Sequence, residues 1–315
     1  VYTDLLQLVV MTLGVVVAAP LALRRLGGLG EVLAWAETAK PGAFSWGAFP
    51  PTLLFTMGLA FFLGGAATPE KQIRLYAMKD LRTVRRGDLF AIVATTLMIV
   101  AICLISISSI VFLPALPTGD LAMPIVARTV LPPLLGALLL AAVTSAIMST
   151  VDSILIVAGS ALSTDLYQNL IHPEAGERRK ILVDRIGVVL AGTTPLLLLL
   201  LGVGEGELVQ LIVLLVTALM ASSFFAPVLL GIFWRRGTRE GAAAAMLVGL
   251  GTAFLWKLLG PESIDPVLPG FLASLVAMVT VSLVTPPPPE EALRPYFPEV
   301  GSRSDGIVTK HLDGA

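Results

Sequence analysis

Apolar residues run in long blocks along this chain, and polar residues collect in the gaps between them. A helix needs roughly 20 apolar residues to cross a bilayer core about 30 Å thick. Eight blocks meet that requirement, near residues 5–23, 50–67, 89–113, 134–163, 181–201, 208–233, 241–259 and 266–285. The pattern predicts an all-α integral membrane protein with a membrane domain over 1–285. Pro286-Pro287-Pro288-Pro289 then stops the last helix and opens a polar tail, 286–315, because proline lacks the N–H that a helix requires and favours an extended spacer.

The gaps set an orientation. The 68–88 loop holds Lys71, Arg74, Lys79, Arg82, Arg85 and Arg86. On the same side by alternation fall Arg178, Arg179, Lys180, Arg185, Arg235, Arg236, Arg239, Arg294, Arg303 and Lys310. The other side carries only Arg24, Arg25, Lys40, Arg128 and Lys257. Cytoplasmic loops collect Lys and Arg, so the richer side and the C-terminal tail are expected inside. Arg24 and Arg25 fit least well, just beyond the outer end of the first span.

Composition agrees. Of the 315 residues, 56% are hydrophobic and 14% charged, against about 25% charged in a soluble domain. A net charge of -1 offers nucleic acid no electrostatic footprint. The one cysteine, Cys103, excludes a disulfide framework. His172 and His311 both lie outside the apolar blocks, so a histidine metal site is not expected. The chain opens Val1-Tyr2-Thr3-Asp4 with no methionine and no basic segment before Leu5, which reads as a start in mid-protein rather than a signal peptide. Neither a phosphate loop nor a nucleophile elbow is present; no enzyme, no cofactor and no obligate protein partner is expected.

The fourth block carries the candidate chemistry. Leu134 to Tyr167 is longer than a bilayer is thick at about 1.5 Å per residue. Ala146, Thr150, Ser153, Val157 and Ser160 share one helical face, and Ser145, Ser149, Asp152, Gly159 and Ser163 form the adjacent row. Ile147, Val151, Ile154 and Leu155 lie opposite. One reading is packing, since small residues let membrane helices approach and hydroxyls bond back to the backbone. The other is a cation site. A hard cation takes oxygen ligands, and Ser149, Thr150 and the carbonyl of Ala146 supply three without a full negative charge. Asp152 is expensive within a membrane helix and marks an ion path or its cytoplasmic mouth. Asp4 is either an acid favoured by a helix N-terminus or a second carboxylate on that path. Gly64 and Gly65 interrupt the second span, as a break exposing backbone or as a packing seam. Phe55, Phe61 and Phe62 on that span suit a pocket wall, lipid or core alike.

Several stretches resemble the sodium/solute symporter family, which includes sodium/proline and sodium/glucose cotransporters. They are Ala146-Ile147-Met148-Ser149-Thr150-Val151-Asp152-Ser153, then Ser163-Thr164-Asp165-Leu166-Tyr167, the opening Tyr2-Thr3-Asp4-Leu5-Leu6-Gln7, the run from Pro69 through Arg74 to Lys79-Asp80, and the run from Phe225-Ala226-Pro227 to Phe233-Trp234-Arg235-Arg236-Gly237-Thr238. The resemblance covers about 1–285. It implies a LeuT-type fold of two inverted five-helix repeats, with the eight spans as core helices five to twelve and the N-terminal helices missing. It implies a sodium site at Ala146, Ser149 and Thr150, completed by a first helix that has no counterpart here. Asp4, Asp152 and Ser153 fall on the inner cation path, and Phe61, Gly64 and Gly65 near the solute. The expected function is sodium-coupled symport of a small organic solute across a bacterial inner membrane, with sodium as coupling ion. The alternatives are proton coupling through Asp152 or Asp4, and a sensor module related to symporters. Sugars, amino acids, pantothenate and monocarboxylates all remain open as solute.

Overall fold

The computed structural model describes residues 2–39, 41, 45, 49–110, 118–202, 209–294 and 297. Lys40, the 111–113 end of the third predicted span, residue 208 at the start of the sixth and nearly all of the tail beyond Arg294, His311 included, lie outside them. Among the described residues every element is helical. In chain order they are α1 (Tyr2–Arg25), α2 (Leu29–Ala39), α3 (Pro51–Ala67), α4 (Pro69–Tyr76), α5 (Leu81–Ser109), a 3-10 turn at Gly119–Leu121, α6 (Ala122–Thr129), α7 (Pro133–Ser160), α8 (Glu177–Leu200), α9 (Val209–Phe233), α10 (Arg239–Leu259), α11 (Val267–Val284) and α12 (Glu290–Leu293). Seven helices are long and apolar enough to cross a membrane, or eight if α3 and α4 count as one broken span.

One open choice is decided and one expectation changes. Of the two readings of Gly64-Gly65 the packing seam holds: α3 runs through both and stops at Thr68, which is extended at φ −68°, ψ 128°. The ring of Pro69 disfavours helical geometry at the residue before it, and proline then suits the first turn of α4. Gly64 is a packing position, because a Cβ there would lie 2.5 Å from Thr217 Cγ2 of α9. The fourth span is longer than predicted. It continues from α7 through Ala161–Ile171 in π geometry, 39 residues in all.

The chain forms two units, Val1–Ala48 with Gln72–Ile212, and Phe49–Lys71 with Val213–Ala315. In the first, α1 packs on α7 and α5, and α8 packs on α7 and its π extension. The seam is built from small residues. A Cβ on Gly14 would lie 2.5 Å from Ala142 Cβ and 2.9 Å from Leu138 O, and Ala18, Ala19, Ala22, Leu139 and Ala142 are buried around it. In lipid such close approach replaces the hydrophobic effect as the source of helix association. Arg25, one of the two misplaced outer cations, donates from Nη1 to Val130 O at 3.0 Å. It thereby satisfies a carbonyl at the C-terminal end of α6, where a cation also suits the helix dipole.

In the second unit Gly241, Ala245, Gly249 and Ala253 of α10 are buried at every fourth position. They face Ser282, Ser274 and Gly270 of α11. The turn 234–238 is explained by capping. Arg236 donates to Leu283 O and Thr285 O at the end of α11, and Thr238 Oγ1 accepts from Gly241 N–H at the start of α10. Asp265 is buried just ahead of α11; its carboxylate accepts from Val267 N–H, and its own N–H donates to Thr56 Oγ1 of α3. Burial raises the Asp265 carboxyl above the usual carboxylate range, against the opposing pull of the Val267 N–H and the Lys257 charge.

Candidate functional site

The predicted cation oxygens come together in the first unit, on α7. Ser149 Oγ donates to Ala146 O at 3.0 Å and Thr150 Oγ1 donates to the same oxygen at 3.2 Å. This is the back-bonding expected of helix hydroxyls, and it also gathers three oxygens around one place. Two oxygens held at about 2.3–2.6 Å from a common cation, at roughly a right angle, are about 3.3–3.7 Å apart. The two contacts to Ala146 O, 3.0 and 3.2 Å, are a few tenths of an ångström shorter than that spacing. Each hydroxyl keeps lone pairs for a cation while its proton stays on the carbonyl side.

One turn further on, Ser153 Oγ donates to Ser149 O at 2.9 Å and accepts a hydrogen bond from Arg74 Nη2 of α4. Asp152, beside Ser153, is exposed and makes no hydrogen bond or ion pair among the described residues. Arg74 was predicted only as one of the basic residues of its loop. Its contact with the hydroxyl row is tertiary and has no sequence signal beyond the quoted motif.

Asp4 is half-buried near the start of α1. The seam between α1 and α7 places it. Arg25 meets Val130, and Gly14 meets Ala142, so numbers fall on one helix as they rise on the other. The helices are antiparallel neighbours. Continuing the register ten residues from Gly14 and Ala142 brings Asp4 level with Asp152. Continuing it seven residues brings Gln7 level with Ser149. Gln7 Oε1 is buried without a hydrogen-bond partner. Gln7 was part of the quoted opening motif, but nothing in the sequence singled it out from its apolar neighbours.

Gly159 and Ser163 of the predicted hydroxyl stripe serve packing. Both are buried, and a Cβ on Gly159 would lie 2.8 Å from Asp184 Oδ1 and from Val188 Cγ2 of α8. Of the four residues on the opposite side, Ile147, Val151 and Ile154 are exposed and Leu155 is half-buried. The residues expected near the solute lie on α3 in the second unit. Phe61 is 48% exposed, Gly64 is buried, and Gly65 is half-buried with Lys71 Nζ 3.8 Å from where its Cβ would stand. Among the described residues no three His, Cys, Asp or Glu side chains gather to hold a metal ion. The three oxygens of Ala146, Ser149 and Thr150 are all neutral.

Comparison with known proteins shows the fold and the family. The profile of the Sodium:solute symporter family matches residues 1–249. The osmoregulated proline transporter OpuE of Bacillus subtilis is 27% identical over 93% of this chain and 60% of its own length. The sodium/pantothenate symporter of Escherichia coli is 28% identical over 89% of the chain and 59% of its own length. A solved structure of a Na+-coupled sialic acid symporter, substrate-bound and outward-open, superposes with a TM-score of 0.69 at 19% identity, covering 91% of this chain and 62% of that one. The chain thus spans about three fifths of the length of the relatives it matches, and it has their all-α, LeuT-type fold. It belongs to the sodium:solute symporter family.

Proposed function

We propose that this chain acts in the symport of a small organic solute with sodium across a bacterial cytoplasmic membrane, with its C-terminal tail inside. The observation that carries the reading is the convergence of Ala146 O, Ser149 Oγ and Thr150 Oγ1 on α7, at the positions where the family resemblance locates a sodium site. Sodium arriving from outside bridges these oxygens to a first helix and favours a closed arrangement around the solute. Coupling of this kind requires each ligand to discriminate between states. The membrane potential adds about 2.3 kcal/mol per charge per 100 mV. Release inside passes Thr150 and then Asp152, Ser153 and Asp4 along the antiparallel α7 and α1. Phe61 and Gly65 of α3 are the candidates for the solute wall.

The solute classes to test first are those of the relatives: proline, pantothenate and sialic acid. Uptake of each by the complete protein, driven by an inward sodium gradient and compared with choline, tests the proposal. Sodium-dependent accumulation of one of them is the expected result. Accumulation that ignores sodium and follows an inward proton gradient would overturn it in favour of proton coupling through Asp152 or Asp4. An absence of any transport would favour the sensor alternative.

A further inference from the structure

We infer that Gln7 of α1 supplies a fourth oxygen to the cation site of α7. The inference rests on the reading of that site given above and adds a residue from a second helix to it. Two observations meet at Gln7. The first is that its Oε1 is buried and accepts no hydrogen bond. A buried acceptor without a donor loses its hydration without recompense, and in a membrane core there is no bulk water to relieve it. An orphan of this kind needs an explanation, and a bound ion or water is among the ordinary ones. The second is the register between α1 and α7, tied at Arg25 with Val130 and at Gly14 with Ala142. It brings Gln7 to the level of Ser149, whose hydroxyl belongs to the three-oxygen cluster.

The chemistry matches. An amide oxygen is a neutral hard ligand with two lone pairs, of the same kind as the carbonyl of Ala146 and the two hydroxyls. One helix cannot enclose a cation, and α1 packs closely along α7 at Gly14. Gln7 also stands one turn from Asp4 on α1, as Ser149 stands one turn from Asp152 and Ser153 on α7. A sodium ion leaving the four neutral oxygens therefore meets the two carboxylates next on its inward way.

The test uses the complete purified protein without solute. Its thermal stability is titrated with sodium against choline at constant ionic strength. Gln7→Leu removes the oxygen and keeps the bulk. It is expected to raise the half-saturating sodium concentration by about 10-fold or more, by the loss of one ligand to a charged group. In sodium-free buffer the same variant is expected to be at least as stable as the natural protein, because the orphan acceptor is gone. Gln7→Glu puts a carboxylate in the same place and is expected to lower the half-saturating concentration. A purely structural glutamine would give the opposite signature, with Gln7→Leu unstable without sodium and its sodium titration unmoved. That result would overturn the inference. So would a Gln7→Glu protein that folds and titrates sodium as the natural one does. If Ser149→Ala shifts the titration and both Gln7 variants do not, only Gln7 is excluded. If the natural protein shows no sodium-dependent shift, the cation site itself fails and Gln7 with it.

Discussion

Replacing Ser149 or Thr150 by alanine isolates the proposed sodium site from the rest of the fold. Among the described residues each hydroxyl makes one hydrogen bond, and both bonds go to Ala146 O. That carbonyl remains in the helical ladder when either hydroxyl is removed, so no buried acceptor is orphaned and the sodium-free protein should change by no more than about 0.5 kcal/mol. Sodium binding should change far more. A polar contact to a charged group contributes about 1.5–3 kcal/mol, and about 1.4 kcal/mol is a factor of ten. Each variant should therefore raise the half-saturating sodium concentration about 10- to 150-fold. At a sodium concentration about 100 times the dissociation constant, the natural protein gains about 2.7 kcal/mol of stability. A variant weakened 100-fold keeps only about 0.4 kcal/mol of it at the same concentration. Thermal unfolding with and without sodium reads this directly and needs no knowledge of the solute. Thr150→Ser keeps the oxygen and should titrate as the natural protein does. If both alanine variants show the natural sodium titration, the three-oxygen cluster is not the site, and the transport mechanism built on it is wrong.

Three further outcomes follow from other parts of the structure. Arg74 reaches the hydroxyl row at Ser153, so Arg74→Gln should bind sodium several-fold more tightly, with Arg74→Lys unchanged; equal titrations for Gln and Lys would show that the charge is irrelevant. A Cβ on Gly249 would lie 2.1 Å from Ser222 O and 2.8 Å from Ser274 Cβ, so Gly249→Ala should cost about 1–3 kcal/mol by forcing α10 off its neighbours, seen as a lower unfolding temperature with the sodium titration preserved. Asp265 is held protonated more strongly in the folded protein than in the unfolded chain, so stability falls as pH rises from the ordinary carboxylate range through its raised value. Asp265→Asn keeps the acceptor for Val267 N–H and should stabilise the protein at neutral pH, with the gain disappearing in acid; a pH-independent effect would contradict the assignment.

How much of this was legible in the sequence depended on the range of the interaction. The membrane helices were, because about 20 consecutive apolar residues leave a chain no other solvent than lipid, and the backbone must then satisfy itself as helix. The hydroxyl pair of Ser149 and Thr150 and their shared carbonyl were legible too, since all three lie within one turn of one helix. The end of α3 was legible, but the choice between a break and a packing seam at Gly64-Gly65 was not, because two glycines permit a break without enforcing one, whereas the bond before Pro69 enforces it. The π continuation of α7 left no periodic mark that distinguishes it from ordinary helix.

What the sequence alone determined, then, is everything settled along a single helix: which segments enter the bilayer, which face carries the oxygens, and where acids interrupt the apolar run. Contacts between helices were decided only by the tertiary structure. The register set by Gly14 against Ala142 brings Gln7 level with Ser149, the cap that Arg25 gives to Val130 ties α1 to α6, and the hydrogen bond of Arg74 to Ser153 joins α4 to α7. The physical reason is that small residues specify that two helices approach closely, but not which two or at what height. Those depend on the simultaneous fit of side chains far apart in the chain.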